Sequence, residues 1–258
     1  MIYETLKVHF ERSSAEGDDD LCFLQLHRPE SNNTINGKMI EECSQVLALC
    51  REKVKVVIFS GLPEVFCFGA DFEAMANKSP QSGSGPEPLY DLWTEMATGP
   101  FITVAHVRGK ANAGGIGFVA ACDLVLADGR AEFSLSELLF GLMPAYVLPF
   151  LIRRIGFQRA HSMTLMTKPV MAEEAAGWAL VDAYADDSEG LLRRYLLRLR
   201  RLNKTAVQRY KRYMSSLDDS LLGAKEKAMA ANTEVFSDPE NMEKISRYVS
   251  TGKFPWEG

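Results

Sequence analysis

Residues 109–117 read GKANAGGIG, with glycine at 114, 115 and 117 just after the apolar run PFITVAHV. A glycine turn between strand and helix suits an anion. The first turn of a helix leaves its N–H groups unpaired, at the positive end of the helix dipole. A phosphate loop is one reading, but no glycine stands five residues before Gly109, and Ala111 follows Lys110 where the Walker pattern needs Ser or Thr. A dinucleotide fingerprint can be drawn as Gly115-x-Gly117-x-x-Ala120, yet it falls past residue 100 with no second βαβ half behind it. An oxyanion site remains, because bare glycine lets another molecule's oxygen approach the Gly114 N–H. Tight helix–sheet packing accounts for the same glycines equally well. Nothing in the stretch ionises after Lys110, so any acid or base must come from elsewhere.

A second stretch, PEVFCFGADF at 63–72, sets a Gly-Ala-Asp turn after an apolar strand. Ala70 there offers a second backbone N–H. Two converging donors would make an oxyanion hole where one makes only a turn.

These turns need elements to hold them. IYETLKVHF and LCFLQLHR read as two strands around the acidic turn cluster SSAEGDDD. In NGKMIEECSQVLALCRE, Ile40, Cys43, Leu47 and Cys50 recur at helical spacing, with Thr34 or Asn36 placed to cap the helix. VKVVIFSG reads as a buried strand. AMANKSPQSGSGPEP is rich in Gly, Ser and Pro and reads as a mobile loop, either a lid or a solvated excursion. YDLWTEMATG is a helix, PFITVAHV a strand, GGIGFVAAC the start of a helix, and DLVLAD and AEFSLS are strand-like. From about residue 150 the chain reads as helices. Its stretch from Arg193 to Arg212 is rich in Arg and Lys, which more often means a solvated face than a surface for an acidic partner. The pattern predicts one α/β unit with a helical C-terminal part.

Composition narrows the classes. The chain has 258 residues, 47% hydrophobic and 24% charged, with a formal net charge of −5. That balance supplies a full core and no basic field for nucleic acid. No apolar run approaches the ~18–20 residues of a membrane span, and the N-terminus lacks the layout of a signal peptide. The five cysteines and four histidines are scattered. They read as buried thiols in a reducing cytoplasm and as no metal site.

The two glycine turns, taken with LQLHRPESNNTIN, EVFCFGADF, VRGKANAGGIGFVAACDLVLAD, AEFSLSELLFGLMP, RRIGFQRAHSMTLMTKPVMAEEAAGWALVDA and FSDPENMEKI, resemble the crotonase, or enoyl-CoA hydratase/isomerase, superfamily over nearly the whole chain. The resemblance implies a spiral of ββα turns over residues 1–195, with a helical region for trimerisation at 196–258 and a homotrimer or hexamer. It implies an acyl thioester on a phosphopantetheine arm and no other cofactor. The thioester oxygen would sit between the N–H groups of Ala70 and Gly114, stabilising an enolate. Losing one such donor costs ~2.7–4 kcal/mol, roughly 100- to 1,000-fold in rate. The hydratases of the family carry two glutamates. One falls three residues after the oxyanion glycine, where this chain has Gly117; the other is present as Glu137. Gly117 is expected to leave room there, suiting a substrate branched at C3.

A closer likeness is to the dehydratases of polyketide β-branching cassettes, carried by NNTIN, LPEVFCFGADF, EPLYDLW, VRGKANAGG, FSLSELLFGL and LPFLIRRIG. It implies that 3-hydroxy-3-methylglutaryl on an acyl carrier protein loses water to give 3-methylglutaconyl. A single glutamate would take the C2 proton and return it to the leaving hydroxyl in a syn elimination. The alternatives are a decarboxylase of the methylglutaconyl thioester, a CoA-linked enoyl hydratase or isomerase, and a non-catalytic module that docks carrier proteins. Arg108, Lys110 and Asn112 are candidates for the distal carboxylate. Tyr90 and Trp93 are candidates to close over the acyl chain, Tyr146 to shape its pocket, and Ser31 and Asn32 to hold the pantetheine arm. Catalysis falls to Glu137, Ala70 and Gly114.

Overall fold

The computed structural model describes residues 2–12, 19–76 and 87–257. Most of the Gly/Ser/Pro-rich loop and of the acidic turn cluster lies outside these residues. Two strands open the chain, β1 (Leu6–Arg12) and β2 (Asp19–Leu26), followed by helix α1 (Gly37–Lys53). Asn36 caps α1, its Oδ1 accepting from the Met39 N–H at 2.9 Å. The stripe of Ile40, Cys43, Leu47 and Cys50 is buried as the spacing requires.

Two sheets then grow side by side. Strands β3 (Val56–Ser60), β5 (Ile102–Val107), β7 (Leu124–Asp128) and β10 (Ala183–Ala185) extend the first, in the order β1-β2-β3-β5-β7-β10. Strands β4 (Val65–Cys67), β6 (Lys110–Asn112), β8 (Glu132–Ser134) and β9 (Val170–Met171) form the second, in the order β4-β6-β8-β9. From β3 to β8, each circuit lays one strand in each sheet before its helices begin. The helices are α2 (Phe72–Ala76) and α3 (Glu87–Thr98) after β4, and α4 (Gly114–Ala121) after β6. Except for the β1–β2 and β8–β9 pairs, neighbours run parallel. This is the expected ββα spiral.

The larger sheet is covered on both faces, so its central strands are mostly apolar, with Thr103 and His106 of β5 as buried polar exceptions. Val57, Phe59, Ala105 and Val125 join the main core with α1, α3 and α4. The alternate residues Val56, Ile58, Val104 and Leu126 pack on Leu191, Leu192, Leu196 and Leu199 of a later helix, α8 (Ser188–Leu199). Earlier in the chain, α5 (Val147–Ile155), α6 (Phe157–Met166) and α7 (Ala172–Gly177) pack on the main core. After α8 come α9 (Lys204–Leu217), α10 (Ser220–Ser237) and α11 (Pro239–Thr251). Residue 195 therefore falls within α8, which lies along the core sheet to Leu199.

Two sequence expectations need correction. The stretch beyond residue 150 is not helical throughout, since it holds β9 and β10. Strands of two and three residues are too short to show an alternation. They form because neighbouring backbone fixes them; Asp182 Oδ2, just before β10, accepts from the Val125 N–H of β7 at 2.6 Å. The basic stretch is also not simply a solvated face. It breaks between α8 and α9, where Asn203 caps α9. Two of its lysines turn inward. Lys204 Nζ donates to the carbonyls of Val54 (2.7 Å) and Pro100 (2.6 Å), and burial pulls its pKa down to about 8.

Lys211 is 5% exposed and donates to Asp123 Oδ2 at 2.6 Å and to the Phe101 carbonyl at 2.9 Å. Asp123 also accepts from the Thr103 N–H at 2.8 Å, so the pair ties α9 to the spiral. Lys211→Met is expected to destabilise the protein by about 3 kcal/mol, the lower end for a broken buried pair because Asp123 keeps some water. Urea unfolding of both proteins measures it.

Candidate active site

The loop Arg28–Asn36 and the turn at 69–71 build the first half of the site. Arg28 Nη2 pairs with Asp71 Oδ2 at 2.9 Å, and the buried Asn33 amide donates to the carbonyls of Leu26 (3.0 Å) and Phe66 (3.1 Å). Asn32 and Asn33 sit at φ 52° and 54°, the left-handed region that asparagine tolerates best after glycine. Ile35 N–H donates to Gly69 O, and Asp71 N–H donates to Ile35 O. In this parallel bridge the residue between, Ala70, turns its own N–H away from Ile35.

The second half is the turn into α4. Ala113 adopts φ 50° and its N–H donates to Ser134 O. Gly114 is the first residue of α4, so its N–H has no partner within the helix. The two turns touch. A Cβ on Gly69, already at φ 90°, would lie 2.7 Å from Ala113 Cβ and 3.1 Å from Gly114 N. A Cβ on Gly114 would lie 2.8 Å from Ile35 Cδ1 and 3.9 Å from Ala70 N. One on Gly115 would run into the Cys67 carbonyl. Only glycine permits this approach, and it brings the Ala70 and Gly114 nitrogens to one place.

Glu137 opens a 3-10 turn, Glu137–Phe140, that ends at Gly141 with φ 78°. Asn241 of α11 donates to the Gly141 carbonyl at 3.1 Å. Glu137 Oε2 is buried and has no hydrogen-bond partner among the described residues. Burial pushes its pKa up to about 7, opposed by the N–H groups of Glu137 itself and Ser136. A carboxyl so poised exchanges protons in either direction near neutral pH.

Ser31, Asn32, Ala70, Trp93, Lys110, Asn112, Gly114, Glu137 and Tyr146 line one cavity of about 990 Å³. Two other candidates do not. Tyr90 is fully buried, donates to the Leu221 carbonyl at 2.6 Å, and packs on Tyr146 and Phe150 as part of the core. Arg108 donates to the Gly61 carbonyl at 2.9 Å and meets Glu189 at 3.4 Å. Lys110 lies 3.7 Å from Glu132. Asn112 is held between Ser136 Oγ, to which it donates, and Ser134 Oγ, from which it accepts, both at 2.9 Å. The wall also includes Phe236, Tyr248 and Phe254, brought by α10 and α11. These escaped the sequence reading because only tertiary packing carries them there.

Gly117 does not leave room. A Cβ there would collide with Cη2, Cζ2 and Cζ3 of Trp93, the last at 2.5 Å. The indole fills the volume that a side chain at 117 would need. It is 1% exposed and stands edge-on to Phe118 and Phe150.

Residues 16–258 match the family model for enoyl-CoA hydratase/isomerase. The bacillaene synthase dehydratase PksH of Bacillus subtilis is 56% identical over 99% of this chain and 97% of its own length. The crystal structure of Bacillus subtilis pksH superposes with a TM-score of 0.92 over 98% of this chain and 100% of that one. A human mitochondrial enoyl-CoA hydratase domain-containing protein is 31% identical over 69% of this chain and 63% of its own.

Gly117→Ala is expected to cost about 1–3 kcal/mol by overpacking. Added to Trp93→Leu, Gly117→Ala should cost much less than it does in the wild type, because the ring it strikes is gone. Melting temperatures of the three variants check this; additive losses would mean that the two residues are not interlocked.

Proposed function

The chain belongs to the enoyl-CoA hydratase/isomerase family, and from that premise we propose that it is a hydro-lyase that dehydrates 3-hydroxy-3-methylglutaryl to 3-methylglutaconyl while the acyl group is held on an acyl carrier protein. The observation that carries this reading is one carboxyl with a pKa of about 7, in a cavity that also receives the Ala70 and Gly114 nitrogens. The dehydratase name of the 56%-identical relative supports the direction and the setting in polyketide synthesis.

The thioester oxygen accepts from the Ala70 and Gly114 N–H groups, and Glu137 as carboxylate removes a proton from C2. The C2–H electrons move into the thioester, giving an enolate whose charge rests on that oxygen. The enolate reforms the carbonyl, a C2–C3 double bond forms, and the C3–O bond breaks. Glu137 returns its proton to the departing hydroxyl, which leaves as water. One carboxyl therefore serves as base and then as acid on one face of the substrate. An indole at the place of a second glutamate offers no second base to orient a water. Ser31 and Asn32, at the cavity's edge, would meet the phosphopantetheine arm. The exposed Tyr210, Tyr213, Met214, Leu217 and Leu222 of α9 and α10 support self-association as a trimer or hexamer. The setting is the cytoplasm.

Purified protein and carrier-bound 3-hydroxy-3-methylglutaryl, followed by mass spectrometry, should show loss of one water, reduced about 100- to 10,000-fold in Glu137→Gln. Turnover by that variant at the wild-type rate would sink the mechanism, and carbon dioxide release from the methylglutaconyl thioester would favour decarboxylation. Because Glu137 must start ionised, kcat/KM should rise with pH through about 7 and then level. The residual activity of Glu137→Gln should lack that limb.

A further inference from the structure

We infer that Trp93 selects the acyl group. Its indole is the rigid wall at the acyl end of the cavity, and its N–H meets an acceptor oxygen, such as a terminal carboxylate, on the acyl chain. This deepens the reading above and rests on the thioester being held at Ala70 and Gly114.

Three observations converge on this residue. First, the ring takes the place of a side chain at 117, three residues along α4 from the oxyanion glycine. It therefore stands close to the carbons that follow the thioester. Second, it cannot move aside. Phe118 and Phe150 each contact it edge-on, with centroids 5.8 Å away, and the backbone of Gly117 lies against its six-membered ring. Third, Trp93 Nε1 is buried without a hydrogen-bond partner among the described residues. Its companions in that condition include Glu137 Oε2 and Tyr146 Oη, which belong to the same cavity wall.

A buried donor left unpaired is costly, so such groups are rare away from sites that a ligand completes. The wall's charges fit the same reading. Among the described residues the cavity lining has a single cation, Lys110, which is more than half exposed and faces Glu132. Recognition of an acyl oxygen deep in the cavity thus falls to neutral donors. A neutral N–H to a carboxylate is a charge-assisted bond, stronger than one between neutral groups.

Calorimetry with two unreactive probes, 3-methylglutaryl-pantetheine and hexanoyl-pantetheine, tests the inference in wild type, Trp93→Phe and Trp93→Leu. Thermal melts confirm that the variants fold. The wild type should prefer the methylglutaryl probe. Trp93→Phe keeps an aromatic wall and loses the donor, so it should weaken that probe by about 10- to 100-fold and leave the hexanoyl probe within about twofold. Trp93→Leu opens the wall and should bind the hexanoyl probe more tightly than the wild type. Parallel weakening of both probes, no change in either variant, or no binding by the wild type would overturn the inference. The test needs no turnover. A protein that shows these preferences yet fails to dehydrate 3-hydroxy-3-methylglutaryl would refute the reaction and leave the selectivity of Trp93 standing.

Discussion

The site depends on one close approach: the backbone at Gly69–Ala70 against the backbone at Ala113–Gly114. The peptide nitrogens of Ala70 and Gly114 are brought near each other there, since even a Cβ on Gly114 would lie 3.9 Å from Ala70 N. The fold holds them there through contacts too tight for a side chain. Gly69, Gly114 and Gly115 each lack a Cβ where one would strike a neighbour. The bridge from Ile35 and the bond from Ala113 to Ser134 use up the adjacent backbone groups, so neither turn can swing away. The spiral supplies the geometry, since successive circuits place β4 and β6 side by side and their turns at the same level.

Desolvation does the second half of the work. Burial in the wall of the cavity pushes the Glu137 carboxyl up to about pKa 7. A single carboxyl near neutrality can both take and return a proton, which a carboxyl at its ordinary pKa does poorly. Trp93 lines the same cavity and fills the space that a side chain at 117 would need.

Much of the fold was legible in the sequence because glycine turns and strand runs are local signals. GKANAGGIG and FGADF marked the two turns that meet, whereas Glu137 and the missing glutamate at 117 stood out only through the family resemblance. The ring in its place was not legible, since Trp93 comes from a helix formed twenty-four residues earlier in the chain and only packing joins it to Gly117. Arg108 and Tyr90 looked like site residues for their type and position. Arg108 instead donates to the Gly61 carbonyl, just past the neighbouring strand β3, and Tyr90 holds α10 through Leu221. The inward lysines were illegible for the same reason: a charge run reads as solvated until a rim of unpaired carbonyls is folded beneath it.

The contact from Asn241 to Gly141 spans a hundred residues, and a Cβ on Gly141 would collide with the Asn241 side chain. Phe140 likewise rests on Tyr248 and Phe254. The turn that begins with Glu137 is thus shaped by the last helix. A change in α11 therefore reaches the Glu137 turn directly, although the two lie about a hundred residues apart in sequence. Unless that helix is docked, the turn loses both the amide that holds its Gly141 carbonyl and the rings beneath Phe140.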